Sequence, residues 1–339
     1  MTAGRSEAGP PEGGHSGNLP GGEHDDARIR VGISACLLGD EVRYDGGHKR
    51  DSFLTDTLGR FVEFVPVCPE VEAGFGTPRE AMHLRRMSGE IRLVTVKSDR
   101  DVTAPMERLI RRRVPSLAKE DLSGYVLKKN SPSCGLERVK VYDRSGMPSP
   151  SGRGMFADAL VSRFPLLPVE EEGRLSNPEL RENFIERVFA YHRLRALFRG
   201  SWTSASLVRF HTAHKLLLMA HSLEGYRQLG RLVAAPGRPR AELERRYSDE
   251  FMRTMAVVAT RRRHTNVLQH MAGYFKMTLD AESKAELQST IDDYRRGLIP
   301  LIVPITLVRH HVRVHNVEYL AGQHYLQPHP KELMLRNHV

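Results

Sequence analysis

From Arg28 to about Leu166, short runs of β-branched residues alternate with stretches of helical periodicity, and this alternation restricts the first half of the chain to few architectures. RIRVGISAC (Arg28 to Cys36), FVEFVPVCPE (Phe61 to Glu70) and GEIRLVTVK (Gly89 to Lys97) read as strands, and YVLKKNSPSCG (Tyr125 to Gly135) as another that runs into a turn. Between them Met106, Leu109, Ile110 and Val114 recur at helical spacing. Strands alternating with helices predict a mostly parallel, Rossmann-like sheet covered on both faces.

The pattern changes at PLLPVEEEGRLSNPE (Pro165 to Glu179), where Glu170 to Glu172 follow two prolines and Ser176 or Asn177 with Pro178 makes a helix start. Beyond it almost every stretch is helical in period: Leu216, Met219, Leu223 and Tyr226 keep one face apolar, and Asp280 caps a later helix. The expected fold class is therefore α/β plus all-α, with a sheet domain over 28–175 and a helical bundle over 176–339. The 339 residues and 40% hydrophobic content suffice for two cores. The first 26 residues hold seven glycines, three prolines and no apolar run, so 1–27 reads as a disordered leader.

GLIPLIVPITLV (Gly297 to Val308) falls short of the roughly 20 residues a membrane span needs and contains Pro300 and Pro304, so no membrane segment is expected. Three cysteines cannot form a disulfide framework, which predicts a reducing, cytoplasmic setting. The net charge of +10 is uneven: residues 1–189 carry 28 Lys and Arg against 29 Asp and Glu, and residues 190–339 carry 23 against 12. Twelve of the sixteen histidines also lie in the second half. Such asymmetry suggests a polyanionic partner for that half, the alternative being a solvated basic surface.

Cys36, Cys68 and Cys134 each fall at the carboxyl end of a predicted strand, the edge where open α/β sheets bind ligands. Their separations of 32 and 66 residues contain no CxxC pair, which argues against a zinc ribbon or finger. Each sits beside Gly or Pro in SACLLG, VCPEVEAGFGTPR or NSPSCG, a context that favours ordered turns whose backbone amides lower thiol pKa. The residues alone leave three readings open: a metal or cluster site, buried structural cysteines, and a cysteine nucleophile.

Four segments in order, VGISACLLGDEVRYDGG, VCPEVEAGFGTPRE, LKKNSPSCG and GMFADAL with PVEEEGRL, resemble the TudS-like thiouracil desulfidase domain. FHTAHKLLLMAHSLEGYRQLGRLVA and TRRRHTNVLQHMAGYFK resemble a helical domain found fused to it, and the pairing is similar to RudS proteins. The resemblance implies a [4Fe-4S] cluster held by Cys36, Cys68 and Cys134, with the fourth iron free of protein ligands, and catalytic roles for Glu70 and Ser131. It implies a tRNA 4-thiouridine desulfidase, with tRNA as substrate and iron–sulfur assembly machinery as a partner.

Arg43, Asp45, Arg79 and Lys128 are the expected substrate contacts, with Tyr44 and Lys49 nearby; the alternative for this loop is a surface turn with a salt bridge. In the helical half Arg261, Arg262, Arg263, Lys215 and Lys276 are the expected RNA contacts. His211, His214 and His221 have spacings a metal site would use but lack nearby carboxylates or cysteines, so they read as packed histidines. Two rival functions remain: a desulfidase of free thiouracil or thiouridine nucleosides and nucleotides, and a non-enzymatic nucleic-acid-binding protein with a structural cluster. The second needs a fourth ligand, for which His48 is a candidate.

Overall fold

The computed structural model describes residues 29–338 apart from 236 and 238; the expected leader over 1–27 lies outside them. Four parallel strands form the first sheet, in the order β2 (Val62–Val67), β1 (Ile29–Ser34), β5 (Leu122–Leu127), β8 (Val169–Glu171). β5 is buried at all six positions, as a central parallel strand with helices on both faces must be. Its alternate residues serve opposite layers. Tyr125 and Leu127 pack with Val114, Phe156 and Leu160 of α2 (Thr103–Ser116) and α3 (Met155–Arg163). Val126 faces the other way with Val31 and Ile33, toward Phe184, Ile185 and Val188 of α4 (Pro178–Arg199). The layers fit closely: a Cβ on Gly124 would come within 2.6 Å of Val188 and one on Gly32 within 2.2 Å of the Tyr125 ring.

The third predicted strand forms but leaves the parallel sheet. β4 (Glu90–Thr95) pairs antiparallel with β3 (Met82–Met87), and with β6 (Val139–Tyr142) and β7 (Pro148–Gly152) they build a second, mixed sheet in the order β4-β3-β6-β7. The reason is the Ser88–Gly89 turn, with φ of +50° and +88°, a two-residue loop with both positions left-handed that folds a strand back on its neighbour.

α4 begins at the predicted start: Asn177 Oδ1 accepts the Leu180 N–H at 3.0 Å, and Pro178 occupies the first turn. It belongs to both halves, covering the parallel sheet with one side and contributing Ala190 and Leu194 to the helical core. That core is built from α5 (Ser204–His221), α6 (Leu223–Ala234), α7 (Arg240–Ala256), α8 (Arg261–Ala272), α9 (Ala281–Arg296), α10 (Ile302–Val314) and the short α11 (Glu318–Ala321). Asp280 Oδ1 caps α9 by accepting the Ser283 N–H at 2.7 Å. The chain then returns to the first sheet, where Leu333 and Leu335 join the core of Val31, Ile33 and Cys36.

Candidate active site at the carboxyl edge of the parallel sheet

β2, β1 and β5 stand side by side, so the three cysteines that follow them gather along one sheet edge. Cys36 sits in a 3₁₀ turn (Ala35–Leu37) directly after β1, its carbonyl accepting the Lys49 N–H at 2.8 Å. Cys68 follows β2 and starts α1 (Pro69–Glu72), with Sγ 3.7 Å from the Val42 carbonyl oxygen. Cys134 lies in the turn after β5, which is closed by the Gly135 N–H donating to the Ser131 carbonyl at 2.8 Å.

The same turn is clamped by α3. The Phe156 and Ala157 N–H groups donate to the Ser133 carbonyl at 3.0 and 3.1 Å, and Met155 N–H donates to the Pro132 carbonyl at 3.1 Å. The first N–H groups of a helix need outside acceptors, and here the cysteine turn supplies them. Gly154 lets the helix approach, since a Cβ there would stand 2.5 Å from the Ser133 backbone.

Glu70 projects from α1 into the space between these turns. Arg79 holds its Oε2, with Nε donating at 2.8 Å and Nη2 adding an ion pair, while Arg79 Nη1 donates to the Val42 and Gly76 carbonyls at 2.9 Å each. The other oxygen, Oε1, accepts from Ser133 Oγ at 2.5 Å and from Ser131 Oγ at 3.5 Å, and the two hydroxyls are 3.0 Å apart. One carboxylate oxygen is thus fixed by a guanidinium and the other ends a chain of hydroxyls. Ser131 Oγ also accepts the Cys134 and Ser133 N–H groups at 3.1 and 3.3 Å, so the side chain shapes the turn that carries Cys134.

Cys36 and Cys134 are buried as well as turn-borne. Burial pushes the Cys36 thiol up to about 11 and raises those of Cys68 and Cys134. This reverses the lowering expected from turn amides, because desolvation of a thiolate outweighs the hydrogen bonds it gains. Neighbouring charges add to it: a charge on Cys68 disfavours one on Cys36 or Cys134, and Glu70 disfavours one on Cys134 and Cys68. Lys128 and Arg43 act on Cys36 in the opposite sense. Three thiolates at this edge therefore require a cationic centre. Among the described residues no group of three or more His, Cys, Asp or Glu converges tightly enough to hold a single ion.

The other predicted contacts are placed as follows. Arg43 pairs with Asp45 at 3.4 Å and lies over the Tyr44 ring, at the loop that receives Arg79. Lys128 pairs with Glu172 at 2.5 Å, and its N–H donates to Ser34 Oγ at 3.0 Å. Arg261, Arg262, Lys215 and Lys276 belong to the helical half; Arg261 lies against Gly297, and Arg263 donates to the Val258 carbonyl at 3.1 Å. His214 and His221 are fully buried, the first between the Phe210 carbonyl and Arg193, the second between the Val257 carbonyl and Glu186.

Sequence reasoning missed Ser133, Ser34 and Glu172. Ser133 stands two residues from Ser131 in the same SPSCG motif, and that adjacency was the available signal; Ser34 and Glu172 gave none. Beside the turn, an open cleft of about 720 Å³ is lined by Lys129, Arg138, Lys140 and Tyr142 among others.

Residues 31–172 match the profile of the family described as 2-thiouracil desulfurase, and residues 215–330 match a protein family of unknown function, DUF1722. The chain is 32% identical over 108 residues to the uncharacterized protein YbbK of Bacillus subtilis, covering 30% of this chain and 71% of the relative. The chain belongs to the 2-thiouracil desulfurase family. All three cysteines, Glu70, Arg79, Ser131 and Ser133 fall inside the family match.

The chain is also 34% identical over 154 residues to the uncharacterized protein YbgA of Escherichia coli, covering 44% of this chain and 90% of the relative. Among solved structures it is similar to a protein titled [4Fe-4S]-dependent thiouracil desulfidase TudS, at 33% identity, over 44% of this chain and 93% of that one, with a TM-score of 0.36. Among the described residues no helix is long and apolar enough to cross a membrane.

Proposed function

We propose that this chain is a [4Fe-4S]-dependent, non-redox desulfidase that converts 4-thiouridine in tRNA to uridine in the cytosol, with iron–sulfur assembly machinery as its partner in maturation. The observation that carries the reading is the sheet edge itself, where three cysteines follow adjacent strands and Glu70, two residues beyond Cys68, turns one carboxylate oxygen to a serine chain. The donor set fits such a group: three free cysteines, mutually destabilised as thiolates, too spread for one ion and without a disulfide partner. When bound, a cluster held by Cys36, Cys68 and Cys134 would supply a Lewis-acidic iron free of protein ligands for the thiocarbonyl sulfur.

The protein's own groups then have defined tasks. Glu70 Oε1 takes a proton from the water that adds to the thiocarbonyl carbon, and Arg79 keeps the opposite oxygen from turning into that role. Ser133 and Ser131 return a proton toward the base as the carbon–sulfur bond breaks. Water oxygen replaces sulfur, sulfur leaves at the oxidation level of sulfide, and no electrons are transferred. Glu70→Gln is expected to lower kcat by about 10²–10⁴-fold with the cluster's visible absorption intact; a fall in absorption instead would assign Glu70 to assembly of the site.

The basic second half favours a polynucleotide over a free base, because phosphates release counterions on binding and a base has none to release. The deciding experiment is anaerobic incubation of the cluster-loaded protein with bulk tRNA, followed in the near-ultraviolet band of 4-thiouridine. Loss of the band without added reductant is expected. An unchanged band alongside turnover of free thiouracil would make the protein a free-base desulfidase.

A further inference from the structure

α8 contains no acidic residue, and its solvent face carries cationic, amide and imidazole side chains. Arg262, Asn266, Gln269 and His270 are exposed and share one side at helical spacing, and Tyr274 continues the line one turn beyond, about 18 Å from Arg262. Tyr274 is 38% exposed and stacks on Tyr319, the ring centroids 5.0 Å apart and 14° from parallel. Lys215 of α5 brings its ammonium to 5.8 Å from the Tyr319 ring centroid, and His270 meets the edge of Tyr274. Lys276, also exposed, follows on the same turn.

Three observations set this strip apart from an ordinary basic surface. Tyr274 and Tyr319 form a stacked aromatic pair at the surface, a flat face on which a base can stack. Arg262, Lys215 and Lys276 have no ion-pair partner among the described residues, so their charges are open to an incoming anion. The charge that acts on both His270 and Tyr274 is that of Lys215, with no carboxylate offsetting it. Cations interleaved with stacked aromatics are the pattern by which single-stranded nucleic acid is held: bases stack on rings and phosphates meet the cations.

We propose that the Arg262–Tyr274 face of α8, completed by Tyr319 and Lys215, is an RNA-binding platform that stacks an unpaired base, such as one from a tRNA loop, on the Tyr274–Tyr319 pair. The inference rests on the reading of the chain as an enzyme of RNA, and it divides the basic residues by task. Arg262, Lys215 and Lys276 face phosphate; Arg263, bonded to the Val258 carbonyl, and Arg261, packed at Gly297, hold the helix in place.

The test measures binding of the full-length protein to fluorescently labelled, unthiolated tRNA and to a short single-stranded oligoribonucleotide across a salt series. Tyr274→Ala with Tyr319→Ala is expected to weaken both by about 10–100-fold without changing the slope of log K against log salt. Tyr274→Phe with Tyr319→Phe should bind as the parent does, and Lys215→Gln should reduce the slope by about 1. The far-ultraviolet circular dichroism and iron content of the alanine variant should stay at the parent values, which excludes misfolding. Unchanged RNA affinity in the alanine variant overturns the platform, as does a parent protein that binds neither RNA, or an alanine variant that loses affinity only for anionic phosphatidylserine vesicles. Tyrosine-dependent RNA binding with no desulfuration of thiolated tRNA would leave the platform standing and remove the proposed reaction.

Discussion

Replacing Cys134 by alanine is expected to abolish iron retention and desulfuration together. The backbone bonds of the turn do not use the sulfur: Gly135 N–H to the Ser131 carbonyl, Cys134 N–H to Ser131 Oγ, and the α3 donors to Pro132 and Ser133 all survive the change. The substitution removes one buried sulfur from a core of Val65, Tyr125 and Phe156, a loss on the order of 1 kcal/mol that leaves the domain folded. What disappears is one of the three cysteines proposed to hold the cluster. Cys36 and Cys68 alone would supply only two of the three protein ligands a cluster would need here, and each ligand lost weakens its retention. Visible absorption and iron content should both fall to background after anaerobic reconstitution, while the thermal midpoint moves by only a few degrees. A variant that keeps activity without iron would remove the cluster from the reaction, and one that loses its fold would reassign Cys134 to structure.

Much of this site was legible because its information is local. A strand followed at once by Cys and a Gly or Pro turn places a side chain at the carboxyl edge of a parallel sheet, and Cys36 and Cys68 obey this directly. Helix starts at Asn177 and Asp280 were equally readable, since a cap needs only its own side chain and an N–H three residues on. What stayed hidden depends on distant pairing. GEIRLVTVK has strand composition, but its sheet is decided by a Ser88–Gly89 turn and by β6, some fifty residues further along. Ser133 matters because Glu70, 63 residues earlier, arrives within 2.5 Å of it. The triple-arginine run looked uniform in sequence, yet only packing separates Arg262 from Arg263, which donates to the Val258 carbonyl, and from Arg261, which lies against Gly297. Thiol acidity was misjudged for the same reason, burial being a property of the assembled sheet and helices.

The largest stability effect is expected at Arg336, which sequence reading passed over. Its guanidinium is almost fully buried and donates from Nε to Glu182 at 3.0 Å, from Nη2 to Glu186 at 2.6 Å and from Nη1 to the Tyr325 carbonyl at 2.6 Å. Both carboxylates belong to α4, about 150 residues away in sequence, and Glu186 also meets His221 at the end of α5. Burial alone would raise the Glu186 carboxyl, and the Arg336 and His221 charges more than offset that, so it lies below the ordinary range; Glu182, next to Glu186, is pushed up to about 8 by burial. Arg336→Ala leaves two buried acids facing each other, at a cost of about 3–5 kcal/mol, or roughly 10 °C in the midpoint. Removing all the charges at once, with Arg336→Met, Glu182→Gln and Glu186→Gln, should cost less than the single change, because no ion is then left unpaired. If Arg336→Ala instead melts with the parent, the ion cluster does not hold the tail. The consequence reaches the active site through packing. Leu333 and Leu335 sit just before the arginine and close the core that contains Val31, Ile33 and Cys36, so releasing Arg336 should raise amide exchange at residues 333–338 and at the Cys36 turn together.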